Sequence, residues 1–460
     1  MYSENALEDP IAALRNLRVA IIASMNRFSA IGVVCLFAAA SAAQDVQSTF
    51  RGGAAHLGVY NSQAPQQLSL KWTFSTNGAI VSSPAVAGGA VYIGSNDGNL
   101  YAVDAATGKL RWKFDAHGQV RSSPAVAGGA VYVVSLDGSL YAVDAATGKQ
   151  RWAFATEGEH RFTRAGNLGA FPPTEVVPDP WDFYLSSPAV AGSAVYFGSG
   201  DGHIYAVDAA TGALKWKFKT GDVVHSSPAV SGGIVYAGSW DTYFYALDAA
   251  TGALKWKFKT LEDNKIHLMT GIPGSAAVAN GSVYFGCRDA NFYALDAVTG
   301  ALKWTTPNDG SWVIASPAVA DGVVYYTTSD TFRFQALDAA TGKVLYWLPT
   351  GIYGFSSPAI AGSHAYFGTF DGQLHDVDLK KRAYAGVFAT PGFNANGPRF
   401  LGPDGKLKGE AVWSGPTLDE TIVDMHTKLF SMGSILSSPA VQDGVVYFGS
   451  VDGKLYALGK

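Results

Sequence analysis

The stretch SSPAVAGGAVYIGSNDGNLYAVDAATGKLRW, Ser82–Trp112, is written again almost letter for letter as SSPAVAGGAVYVVSLDGSLYAVDAATGKQRW, Ser122–Trp152. Each copy reads as four short strands. SSPAVA has small side chains suited to a crowded innermost strand, and AVYIGS is β-branched and aromatic in alternation. The Asp-Gly pair is a hairpin turn, since glycine takes positive φ without a steric penalty. LYAVDAATG is a third strand ending in a second turn, and KLRWKF is an outer strand. Trp112, Trp152, Trp216, Trp256 and Trp304 recur at one fixed offset on that outer strand.

Working outward, the S-P-A-V element returns at Ser123, Ser187, Ser227, Ser316, Ser357 (as SPAI) and Ser438, and as SAAV from Ser275. With Ser83 this makes eight copies of a unit near 40 residues, lengthened by insertions at 155–185, 260–274 and 379–436. Eight four-stranded units of that length predict an all-β protein, an eight-bladed β-propeller of antiparallel blades. The final copy, SSPAVQDGVVYFGSVDGKLYALGK, stops one strand short. LSLKWTF, Leu68–Phe74, carries Trp72 and precedes the first copy, so the N-terminal strand is expected to complete the last blade and close the ring. The expected organisation is an N-terminal extension and signal over 1–43, a segment over 44–67, and one propeller over 68–460.

Of 460 residues, 48% are hydrophobic, and the formal net charge is -4 with no long basic run. That balance argues against nucleic acid as a partner. MNRF (Met25–Phe28), the apolar run Phe28–Ala40 and SAA (Ser41–Ala43) read as a secretory signal cut before Gln44. Translation then starts at Met1 or at Met25. The apolar run is too short to span a bilayer, so no transmembrane helix is expected after cleavage, and the protein is expected in the periplasm or outside the cell. The mature chain keeps one cysteine, Cys287, so no intramolecular disulfide forms. Cys35 does not sit in a lipoprotein acceptor pattern.

All three insertions join an outer strand to the next inner strand, which in a meander puts them on the same rim as the Asp-Gly turns. That rim is the expected functional face. Arg121, Tyr184, His225, Trp312 and Phe355 stand just before inner strands, and Trp240, Arg288 and Phe370 just before turn positions. Aromatics and cations where other copies carry small residues suggest a planar or anionic ligand. His160, His225, His267 and Asp179 share this face and form a candidate metal set. Pro391–Pro416 is rich in Gly and Pro and reads as an irregular lid or docking loop.

The LYAVDAATGKLRW unit resembles the pyrroloquinoline-quinone (PQQ) repeat, shared by quinoprotein alcohol dehydrogenases and by the non-enzymatic propeller lipoprotein of outer-membrane assembly. The segment DPWDFY, Asp179–Tyr184, is similar to the D-x-W-D-[YF] segment of the dehydrogenases. That resemblance implies Asp179 as catalytic base and calcium ligand beside PQQ, with Arg121, Tyr184, His225, Trp240, Arg288 and Trp312 as candidate cofactor contacts. The chain departs from those enzymes in lacking adjacent cysteines and any CxxCH haem motif, so electrons would leave to a separate acceptor. Two functions follow from the resemblance. One is a PQQ- and Ca²⁺-dependent oxidoreductase acting on a small molecule; the other is a non-catalytic propeller binding a protein, peptide or glycan.

Overall fold

The sequence unit becomes a blade in a computed structural model that describes residues 48–166, 174–262, 269–415 and 418–460. The expected signal segment, Cys35 and His267 lie outside the described residues. In the first blade, Ala85–Ala87 is the inner strand, followed by Ala90–Gly94, Asn99–Asp104 and the outer strand Leu110–Asp115. Eight such antiparallel sheets follow one another, seven four-stranded and one with a fifth strand added. The last blade is closed as the sequence predicts: Leu70–Ser75 pairs antiparallel with Lys454–Leu458, with Phe74 opposite Leu455. Among the described residues no helix is long and apolar enough to cross a membrane.

Three devices hold the ring together. A register shift recurs in every outer strand, such as that between Ala102 and Val103 in the first blade, and in six of the eight blades a tryptophan at that point is turned toward the neighbouring blade. Trp112 Nε1 then donates to the carbonyl of Ala145 in the next blade at 3.0 Å, and Trp72 to Ala105 at 3.1 Å across the closing joint. The indole lies flat on the glycine of that neighbour's ATG turn: a Cβ on Gly108 would come within 2.7 Å of Trp72. The second device is a Tyr–Asp bond inside the turn. Tyr101 donates to Asp97 at 2.7 Å, and Tyr205, Tyr245, Tyr293 and Tyr456 repeat the bond with Asp201, Asp241, Asp289 and Asp452.

The third is a plug. Inner strands present backbone N–H groups toward the axis, where an unmet donor is costly. The segment 48–60 supplies acceptors: Ser48 O meets Val126 N, Ala54 O meets Val230 N, Ala55 O meets Val278 N, Leu57 O meets Val319 N, and Gly58 O meets Ile360 N. Val59–Tyr60 pairs in parallel with Ala359–Ala361 as the fifth strand of the seventh blade. Buried Arg51 donates to the carbonyls of Pro358 at 2.6 Å and Pro317 at 2.8 Å. The far end of the channel is thus filled by the chain's own N-terminal segment.

Pro391–Pro416 differs from the irregular loop expected. Pro391–Phe400 is a helix (α1), Gly409–Val412 a short turn of helix (α2), and Leu418–Phe430 a third helix (α3). Thr390 caps α1 by accepting from Phe393 N, and Pro391 occupies the first turn, where its missing N–H costs nothing. Of the glycines and prolines that argued for a loop, Pro391, Gly392 and Gly409 sit in first turns of helix, Gly397 and Pro398 lie inside α1, and Gly402, Pro403 and Gly405 form the connection after it.

Candidate functional site

The three insertions meet above the inner strands. Phe162 of the first stacks on Trp240 at 4.4 Å and 11°, and Trp181 meets His426 of α3 edge-on at 4.3 Å. Trp312 Nε1 donates to Met269 Sδ of the second insertion at 3.3 Å. Around Trp181, the side chains of Phe183, Trp312, Tyr353, Phe355, Phe370 and Met425 form one buried cluster. The rim expected to be an open mouth is therefore a packed lid.

Within that lid two groups of charged residues are paired. Asp179 and Arg288 are both fully buried and joined through Oδ2 and Nη1 at 2.7 Å. Asp179 Oδ1 accepts the backbone N–H of Trp181 at 2.9 Å, and Arg161 donates to the Asp179 carbonyl. The Arg288 guanidinium lies between two indoles, 4.0 Å from the ring centre of Trp312 and 5.0 Å from that of Trp240.

His225 forms a second centre. Its Nδ1 bonds Asp182 Oδ1 at 2.7 Å and its Nε2 bonds Glu159 Oε1 at 2.8 Å. Both ring nitrogens therefore donate, which makes the ring an imidazolium. Burial works against that charge, but the two carboxylates outweigh it and push the His225 pKa up to about 10. Asp182 is held below the usual carboxylate range, because the His225 cation and the Phe162 N–H overcome the burial that would raise it. Glu159 also accepts from Gly200 N at 2.8 Å, so the triad pins the first insertion to the neighbouring blade.

Beneath the lid an axial cavity of about 30 Å³ is lined by Phe50 of the plug, by Arg121, Tyr184, His225 and Phe355 of the lid, and by a ring of eight serines. Each ring serine accepts the backbone N–H of the serine before it: Ser123 from Ser83 at 3.0 Å, onward round the channel, and Ser83 from Ser438 at 2.9 Å. Tyr184 donates to the Leu436 carbonyl at 3.1 Å, and burial pushes its pKa well up. Arg121 donates to Gln119 Oε1 through Nε and Nη2.

A family profile described as outer membrane protein assembly factor BamB, a PQQ-repeat family, matches residues 65–170 and 180–380. The chain belongs to that family. No curated protein sequence matches it. Among solved structures it is similar to BamB from Moraxella catarrhalis, at 16% identity over 86% of this chain and 98% of that one, with a TM-score of 0.58. It is also similar to a europium-containing methanol dehydrogenase, at 16% identity over 90% and 98% and a TM-score of 0.63. The quinohemoprotein alcohol dehydrogenase from Comamonas testosteroni matches at 16% identity over 90% and 80%, with a TM-score of 0.63. At such identities the likeness concerns the fold, and this family's fold is found in an assembly factor and in quinone enzymes alike.

The quinone for which the repeat is named gives a test of the pocket. PQQ is a rigid tricyclic tricarboxylate and needs a flat slot with open aromatic walls. Here the indoles of Trp240 and Trp312 already close on Arg288, and the cavity of about 30 Å³ below them has room for only a few waters. Calcium needs six or more oxygen ligands. The Asp179 carboxylate is engaged on both oxygens, and among the described residues no three His, Cys, Asp or Glu side chains are grouped to hold a metal. His160 Nδ1 instead donates to the Arg161 carbonyl. The residues present, as placed, fit neither PQQ nor its calcium.

The structure brings together Asp179, Arg288, Trp240 and Trp312 in one cluster, and Arg121, Tyr184 and His225 around the cavity. His160 stands apart from both. The N-terminal plug and the serine ring are absent from the sequence reading. The eight-fold recurrence of Ser before the inner strand was the available signal for the ring.

Proposed function

We propose that this protein is a non-catalytic, periplasmic propeller whose insertion face docks a protein, a role akin to that in the name of its family relative, an outer membrane protein assembly factor. The observation that carries the reading is the buried Asp179–Arg288 pair clamped between Trp240 and Trp312. It takes up the faces of Trp240 and Trp312 that could stack on a planar ring and engages both Asp179 oxygens, leaving neither free for a substrate proton. Exposed apolar side chains on the insertions, Val176, Leu261, Trp413 and Val423, supply a docking surface on the same segments.

One observation favours a second reading, a PQQ-dependent alcohol dehydrogenase: the DPWDFY segment is similar to the D-x-W-D-[YF] segment of those enzymes, and that resemblance assigns Asp179 the role of base. Reconstitution separates the two. Purified protein titrated with PQQ and Ca²⁺ is expected to show no bound-quinone absorbance and no alcohol-dependent reduction of an artificial acceptor. Micromolar quinone binding would overturn the docking reading. Photo-crosslinkers placed at Leu261 and Trp413 in cells should trap one discrete protein adduct, whereas the same probe on the opposite rim, at Ala146, should trap none.

A further inference from the structure

The serine ring has more donors than acceptors. The Oγ atoms of Ser83, Ser123, Ser187, Ser227, Ser275, Ser316, Ser357 and Ser438 each accept one backbone N–H, and this leaves each hydroxyl with its own proton to place. Among the described residues none of the eight hydroxyls has a recorded bond as a donor. All eight are buried, between 3% and 7% exposed, and all line the axial cavity. A buried donor without an acceptor costs on the order of 1–3 kcal/mol, so the cavity is poised for something that accepts.

A second observation gives the sign of the charge. Arg121 lines the same cavity, and its recorded partner is the neutral carbonyl of Gln119 rather than a carboxylate. Burial and the nearby Arg161 both disfavour its charge. Asp182, the acid that favours it, is itself committed to His225 and to the Phe162 N–H. A partly buried cation beside converging hydroxyl donors is an environment for negative charge. Its size, about 30 Å³, admits a halide with little hydration and is too small for an anion as large as gluconate.

We propose that the axial cavity binds a small inorganic anion of halide size, held with its waters by the serine hydroxyls and facing Arg121. The site lies below the lid and is independent of whether the insertion face docks a protein. It would make the ring's closure sensitive to the anion, since a ligand that binds only the folded state stabilises it.

The test uses the whole mature chain. Crystals grown in sodium gluconate and soaked in sodium bromide should give an anomalous bromide peak on the axis at the level of the serine hydroxyls. Thermal melts at matched ionic strength should show a higher melting temperature in bromide or chloride than in gluconate, an anion too large to enter. In Arg121→Gln the halide concentration needed for half of that rise should increase about tenfold. The double variant Ser187→Ala, Ser316→Ala should do the same if it folds. The absence of an axial bromide peak, or equal melts in halide and gluconate, would mean a cavity filled by water alone and would overturn the proposal.

Discussion

Replacing Asp179 by asparagine separates a structural anchor from a catalytic base. The carboxylate is fully buried, 2.7 Å from Arg288 Nη1. At an effective dielectric near 20, Coulomb's law gives a gross attraction of about 6 kcal/mol at that separation, much of it offset by desolvation of the two ions. Breaking such a pair from one side costs about 3–5 kcal/mol, because the other charge stays buried without its partner. Asparagine keeps one acceptor oxygen, for Trp181 N–H or for Arg288, and turns an NH2 donor toward the other, so although the two indoles still attract the guanidinium the expected loss is about 4 kcal/mol. Arg288→Met should cost somewhat more, since it strands the carboxylate with no cation. The double variant should be less destabilised than the sum of the singles by about 2 kcal/mol, the signature of a direct pair. Guanidinium unfolding followed by tryptophan fluorescence reads all three as midpoint shifts at constant slope. If Asp179→Asn left stability within about 0.5 kcal/mol of the parent and abolished an alcohol-dependent dye reduction, the anchor reading would be wrong and the base reading right.

Other consequences are open to the same methods. The native state keeps a proton on His225 up to about pH 10, while an unfolded histidine loses it near 6.5. The stabilisation is therefore complete below pH 6.5 and fades as pH rises toward 10, at about 1.4 kcal/mol per pH unit between pH 7.5 and 9. His225→Gln should flatten that slope, and an unchanged slope would contradict the imidazolium. Arg51→Ala should cost about 3 kcal/mol, since two buried charge-assisted bonds to Pro317 and Pro358 are lost together; a change under 1 kcal/mol would mean the plug contributes little. Phe162→Ala should destabilise by about 3–5 kcal/mol and expose residues 155–185 to limited proteolysis, because its stack on Trp240 is what seats the first insertion. Equal protease resistance would argue that the Glu159–His225–Asp182 triad seats it alone.

Much of the fold was legible because the repeat states local facts eight times over. Asp-Gly turns, alternating AVYIG strands and the tryptophan offset are short-range signals, and the truncated last copy with Trp72 upstream gave the closure. The site was legible only as a set of residue types. Trp240, Arg288 and Trp312 stood out as departures from the repeat, yet nothing in the spacing says that a cation would lie between the two indoles. Glu159 and Asp182 are charges near the two ends of the 155–185 insertion, and their convergence on His225 depends on how that 31-residue loop folds back. The helices of 391–430 were missed for a local reason: a threonine cap and a proline in the first turn start a helix, while the same Gly and Pro count elsewhere argues for a loop.

The order of the residues alone determined the ring, because in every blade but the last the four antiparallel strands are adjacent in the chain, and such contacts repeat wherever the letters repeat. Tertiary structure decided whether the axis is a pocket or a core. Side chains from three insertions and an N-terminal segment, far apart in sequence, compete for the same space around the axis, and only their packing in three dimensions shows that they fill it themselves, leaving a small donor-lined void.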